Sequence, residues 1–243
     1  IIYNFTMLNS DIALVITTIN SPNKTSFKSF KDLFAEEKII VVGDKKTSNE
    51  WESENCYFLS LERQKEGFRD ISKQIPLNTY SRKNIGYLEA IKKGSKFIFE
   101  TDDDNYPYKF FEMQISESLN DIKAQKIPFR NWINVYSYFT EAKIWPRGFP
   151  LDEIIDSYSY DNKKKTFLNI HNKDIGIVQF LADGDSDVDA IYRLTLDKNV
   201  FFYKDLSICL PKDSFCPFNS QNTLWKEDTF PLMYLPSFVS FRK

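Results

Sequence analysis

The sequence predicts an α/β fold, a mostly parallel sheet with helices on its faces. Three observations support this. Strand-like apolar runs alternate with helix-like periodic segments over the first hundred residues. The connections between them are short. Polar residues collect where the strands end.

The elements follow in order. Residues 12–19 (IALVITTI) form a β-branched, apolar run that reads as a buried strand, broken by Asn20-Ser21-Pro22-Asn23. Over 25–37, Phe27, Phe30, Leu33 and Phe34 recur at helical spacing. IIVVGD (39–44) is a second strand and residues 56–61 a third. Residues 64–73 and 80–93 read as helices. The second carries Ile85, Leu88 and Ile91 on one stripe and Gly94 as its C-cap. KFIFE (96–100) is the fourth strand, running into Thr101 and then Asp102-Asp103-Asp104. The second half is less regular. A helix is expected over 108–124, strands over NWINVYSYF (131–139) and 175–181, and a broken, proline- and aromatic-rich end. The chain is expected to form a single domain, 1–243, with 1–107 as its ligand-binding half and 108–243 completing the site.

Composition narrows the function classes. The formal charge of −2 shows no basic excess for nucleic acid. No apolar stretch is long enough to span a membrane or reads as a signal peptide. Three cysteines and one histidine do not make a zinc site of the usual kind. His171, in LNIHNKD, reads as a loop residue. No G-x-G-x-x-G follows the first strand, and neither a P-loop lysine motif nor G-x-S-x-G occurs.

The triple aspartate is the most informative stretch. Three adjacent carboxylates repel one another unless a cation or a positive group sits among them. A solvated turn closed by Asn105 and Pro107 is the plain reading. Against it, Asn20, Asp44 and Asp102–Asp104 all fall at strand ends, where open α/β sheets gather ligands. Asp102 and Asp104 suit a hard cation, Mn²⁺ or Mg²⁺, which also binds diphosphate.

The run YSRKNIGYLEAIKKGSKFIFETDDDN resembles the STELLO-like family, related to reversibly glycosylated polypeptides and to nucleotide-sugar glycosyltransferases of the GT-A type. ITTINSP, VVGDKKT, FLSLERQ, WPRGFPLD, LADGDSDVDAIYRL, PFNSQNTLW and LPSFVSFR extend the resemblance over nearly the whole chain. It implies a GT-A-like, Rossmann-like fold and a metal-dependent transfer of sugar from a nucleotide-diphosphate sugar, a UDP-sugar above all, to a carbohydrate or other hydroxyl acceptor. The family pattern continues past SFR into a D-I-x-R-like stretch, so the resemblance implies either a further metal ligand or acceptor contact beyond Lys243 or a site that lacks that part. Two other function classes stay open: a non-catalytic nucleotide-sugar-binding or partner-regulating protein, and a nucleotidyltransferase or phosphatase. The last class lacks a glycine-rich loop or a strand-end nucleophile in ITTINSPNK.

Each candidate residue has a plainer alternative. On the donor side, Thr18 and Asn20 end the first strand and Asp102 and Asp103 the fourth. Asp44 accepts a base N–H, or pairs with Lys45 or Lys46 in a turn. Arg82 and Lys83, at a helix start where positive charge opposes the macrodipole, reach a diphosphate or line a solvated face. Asn84 sits beside the donor. Gln221 and Asn222 bind sugar hydroxyls or brace a loop. On the acceptor side, Arg147 binds diphosphate or a charged acceptor. Of Asp183, Asp185, Asp187 and Asp189, alternation favours Asp187 and Asp185 as the general base, or the loop is simply solvated. Calcium is disfavoured, because the loop lacks the EF-hand glycine and terminal glutamate.

Overall fold

The computed structural model describes Leu8 and residues 11–158, 166–184, 186–196 and 198–237. In chain order the elements are β1 (Ile12–Thr17), α1 (Phe27–Phe30), β2 (Ile39–Val42), β3 (Tyr57–Leu59), α2 (Leu61–Gly67), α3 (Arg69–Gln74), α4 (Lys83–Lys92), β4 (Phe97–Asp102), α5 (Phe111–Ser118), β5 (Ile122–Lys126), α6 (Ile154–Ser157), β6 (Thr166–Ile170), β7 (Ile177–Gln179), α7 (Ala190–Leu196), β8 (Ile208–Cys209) and β9 (Thr223–Lys226). Contacts group them into two compact units: Ile1–Ser116 with Ile175–Phe180 and Ser220–Lys243, and Glu117–Asp174 with Leu181–Asn219.

The first unit is built on a six-stranded sheet of order β3-β2-β1-β4-β9-β7. The first four strands are mutually parallel, as expected. The sheet as a whole is mixed, which corrects the mostly parallel expectation: β9 runs antiparallel to both β4 and β7. The missed strand is TLWK, too short and too polar to announce itself. Its strand state comes from pairing on both sides and from complete burial.

β1 is buried on both faces, which is why it reads as a continuous apolar run. Alternation sends Ala13 and Val15 to one face, where they meet Ile40, Val42, Ile85, Ala90 and Trp225. On the other face Phe99 meets Phe111, which also contacts Phe30 and Phe34. Gly86 sets how close α4 lies to the sheet. A Cβ there would fall 2.6 Å from both Val15 Cγ1 and Val42 Cγ2. The helix propensity that alanine would add, about 1 kcal/mol, is therefore closed to this position, because both obstacles are buried β-branched side chains.

The helix expected over 64–73 is two helices that meet at Phe68, whose φ of −140° and ψ of 48° break the α geometry. The helix expected over 25–37 shrinks to α1 and flanking turns.

The second unit carries a three-stranded sheet of order β6-β5-β8. The helix expected over 108–124 ends at Ser118, and IKAQK is instead β5, paired with β6 on one side and β8 on the other. Partners distant in sequence override local periodicity here. NWINVYSYF is not a strand but a 3-10 turn over Val135–Tyr138. Buried Asn134 donates its side-chain amide to Ile144 O and Ser157 Oγ, and its backbone carbonyl accepts from Ser137 Oγ, which closes the chain into a turn. Among the described residues no helix is long and apolar enough to cross a membrane.

Candidate functional site

In the first unit, the carboxyl ends of β1, β2 and β4 are tied together by side chains. Thr17 and Asp102 are in register, so the residues that follow them emerge side by side. Thr18 Oγ1 donates to Asp103 Oδ2 at 2.5 Å, and Asn20 Nδ2 donates to the same oxygen at 3.0 Å. The Asn20 amide turns back onto Thr18 Oγ1, and its carbonyl accepts from buried Trp51 Nε1. Thr47 Oγ1 donates to Thr18 O and accepts from the Asp44 amide, which joins the end of β2 to that of β1. The structure thus brings Thr18, Asn20, Asp44, Asp102 and Asp103 to one edge.

Asp102 is anchored from two sides. Lys83 Nζ lies 3.0 Å from Oδ1, and Gln221 Nε2 donates to Oδ2 at 2.8 Å. Lys83 is fully buried. Its ammonium also reaches Ser220 O at 3.2 Å and Glu100 Oε2 at 3.9 Å. Glu100 lies two residues before Asp102 on β4, and its carboxylate further accepts from Tyr87 Oη and from Trp225 Nε1. Burial away from water holds the Glu100 carboxyl above the usual range, with Lys83 the chief opposing influence. Sequence reading missed this network, although a glutamate inside an apolar strand was a usable signal: it needs buried partners.

The remaining donor-side candidates divide. Asn222, at φ 49°, accepts from Thr101 Oγ1 and donates to Asn105 Oδ1, so it braces the loop after β4. Asp44 accepts the Lys45 and Thr79 amides, one on each oxygen. Arg82 points inward, to Gln64 Oε1, Ile75 O and Ser72 Oγ, and burial lowers its pKa. Asn84 exchanges two hydrogen bonds with the Leu235 backbone. Arg82, Lys83 and Asn84 are therefore engaged with the protein itself. The unfavourable charge at the helix start is met by Glu100 and Asp102. Asp104 is exposed beside them. Among the described residues no group of three or more His, Cys, Asp or Glu side chains is placed to hold a metal ion.

In the second unit, Arg147 Nη2 pairs with Asp187 Oδ1 at 2.9 Å, and Asn219 Nδ2 donates to Asp187 Oδ2 at 3.2 Å. The Asp187 carbonyl is held from two sides: the Arg147 amide and Tyr136 Oη both donate to it. Asp183 accepts the Phe202 amide and pairs with Lys204, while Asp189 accepts the Ile191 amide at the start of α7. Those two carboxylates serve the fold. Asp185 lies outside the described residues.

No family model matches the chain. Two curated proteins of Arabidopsis thaliana do. Probable glycosyltransferase STELLO2 is 29% identical and probable glycosyltransferase STELLO1 28% identical, each over 222 residues. The chain is homologous to the STELLO proteins. The match covers 84% of this chain but 28% of each relative, so the chain spans less than a third of the length of the STELLO proteins it matches. The homology agrees with the resemblance read from the motifs.

Proposed function

We propose that the carboxyl edge of the first unit binds a nucleotide-diphosphate sugar, a UDP-sugar above all, and that the chain is a GT-A-like glycosyltransferase domain acting with Mn²⁺ or Mg²⁺. The observation that carries this reading is the hydrogen-bonded edge running from Asp44 through Thr18 and Asn20 to Asp103, with Asp102 anchored beside it by Lys83 and Gln221. Such an edge is where α/β sheets of this order take their ligands. The STELLO homology adds the transferase class.

The donor set fits a hard cation. Magnesium-like ions bind through one or two carboxylates and leave the remaining positions to substrate phosphates and water, so three protein ligands are not needed. Asp102 has both oxygens engaged, whereas Asp103 Oδ1 takes no hydrogen bond among the described residues and Asp104 is exposed. Asp104 would hold the ion together with Asp103, and Asp102 would support them. The ion would offset the charge of the diphosphate. Thr18 and Asn20 orient Asp103, and Lys83 and Gln221 orient Asp102. In the second unit, the Arg147–Asp187 pair is the candidate for the acceptor side.

Thermal melting against a panel of nucleotide sugars tests the reading. A UDP-sugar should raise Tm in the presence of Mn²⁺ and much less in EDTA. A ligand at 100 times its Kd adds about 2.7 kcal/mol, a shift of several degrees. No shift with any member of the panel would refute it.

A further inference from the structure

The segment leading into α4 is braced at both ends of the acidic edge. The Thr79 amide donates to Asp44 after β2, and Lys83 pairs with Asp102 at the end of β4. Between these anchors the Tyr80–Arg82 turn is tightened by Thr79, whose Oγ1 accepts the Ser81 amide and whose carbonyl accepts the Arg82 amide. Ser81, Arg82 and Lys83 are buried. Tyr80 is 68% exposed. Isolated exposed tyrosines are ordinary. This one differs because its turn is tied through Thr79 to the end of β2 and through Lys83 to the end of β4, two strand ends that hold the candidate site.

We propose that Tyr80 is the stacking face for the nucleobase of the donor, held by the Asp44–Thr79 hydrogen bond and the Lys83–Asp102 pair. The inference rests on the nucleotide-sugar reading above. It gives Asp44 a different task from accepting a base N–H: Asp44 pins the turn that carries the ring. A tyrosine suits this position because it offers a flat, rigid surface with few rotatable bonds, and stacking needs no partner hydrogen bond.

Calorimetric titration of UDP and of pyrophosphate, both with Mn²⁺, into the wild type, Tyr80→Phe and Tyr80→Ala tests it. UDP lacks the sugar and pyrophosphate lacks the nucleoside, so the pair locates the contact. Tyr80→Phe should keep UDP affinity within about twofold, and Tyr80→Ala should lose roughly tenfold or more, as for other base–aromatic contacts. Pyrophosphate should bind all three proteins alike. Unchanged UDP affinity in Tyr80→Ala overturns the inference while leaving the donor site standing. So does an equal loss of pyrophosphate, which would mark a disturbed edge. A wild type that binds neither ligand overturns the nucleotide reading and this inference with it.

Discussion

Replacing Lys83 with Met is expected to destabilise the protein by about 3–5 kcal/mol, a fall in Tm of roughly 6–20 °C. The ammonium is fully buried between Glu100 and Asp102, and its removal leaves two carboxylates without their cation. Methionine preserves much of the volume, so the loss comes from charge rather than from a cavity. The deficit should also depend on pH, with a sign set by Glu100. Its folded pKa is raised above the unfolded value, chiefly by burial. The native state therefore keeps a proton that the unfolded chain has released, so this group's contribution is complete below the unfolded pKa. It is lost as pH rises through the folded one. Lys83 is the main influence lowering that folded pKa, and without it the window extends upward. Melting curves at pH 5 and pH 8 should show the larger deficit at pH 8. An equal deficit at both would mean that Glu100 is not the group left stranded.

Asp187→Asn is expected to slow sugar transfer by about 10²- to 10⁴-fold while leaving donor affinity within about 1 kcal/mol, if Asp187 takes the acceptor proton. The geometry adds a sharper comparison. Both Asp187 oxygens are already engaged, by Arg147 and by Asn219. A carboxylate whose task is to hold Arg147 should lose no more on substitution than Arg147→Ala does, and the double variant should be no worse than either single one. A base should lose more than Arg147→Ala, and the losses should accumulate. Full turnover in Asp187→Asn would remove the pair from the chemistry altogether.

The parts of the fold that could be read from sequence were those where local pattern and burial agree. β1 to β4 are continuous apolar runs ended by polar residues, and such runs are the signature of strands buried on both faces. The same punctuation pointed to Asn20, Asp44 and Asp102–Asp104, which the structure gathers at one edge. What stayed hidden depended on distant partners. TLWK becomes β9 only by lying between β4 and β7, and IKAQK becomes β5 only by meeting residues 166–170. Side-chain direction was equally out of reach. Their place at a helix start suggests that Arg82 and Lys83 reach a diphosphate or line a solvated face, yet a turn followed by α geometry sends adjacent residues to different neighbours. Arg82 goes to α2 and α3, and Lys83 to β4. Charge alternation in ADGDSDVDA was likewise a weak guide to a shared face, since Asp183 and Asp189 are taken up by backbone amides.

The claim that the acidic edge is a cation-assisted donor site is tested most directly by titrating a UDP-sugar into the wild type and Asp104→Ala, with Mn²⁺ and with EDTA. Melting curves of both proteins, run alongside, separate a lost ion from a disturbed edge. The wild type should bind well with Mn²⁺ and weakly in EDTA, and Asp104→Ala should lose about tenfold or more of the Mn²⁺-dependent affinity. Equal affinity in the two proteins, with Mn²⁺ making no difference to either, would contradict the account.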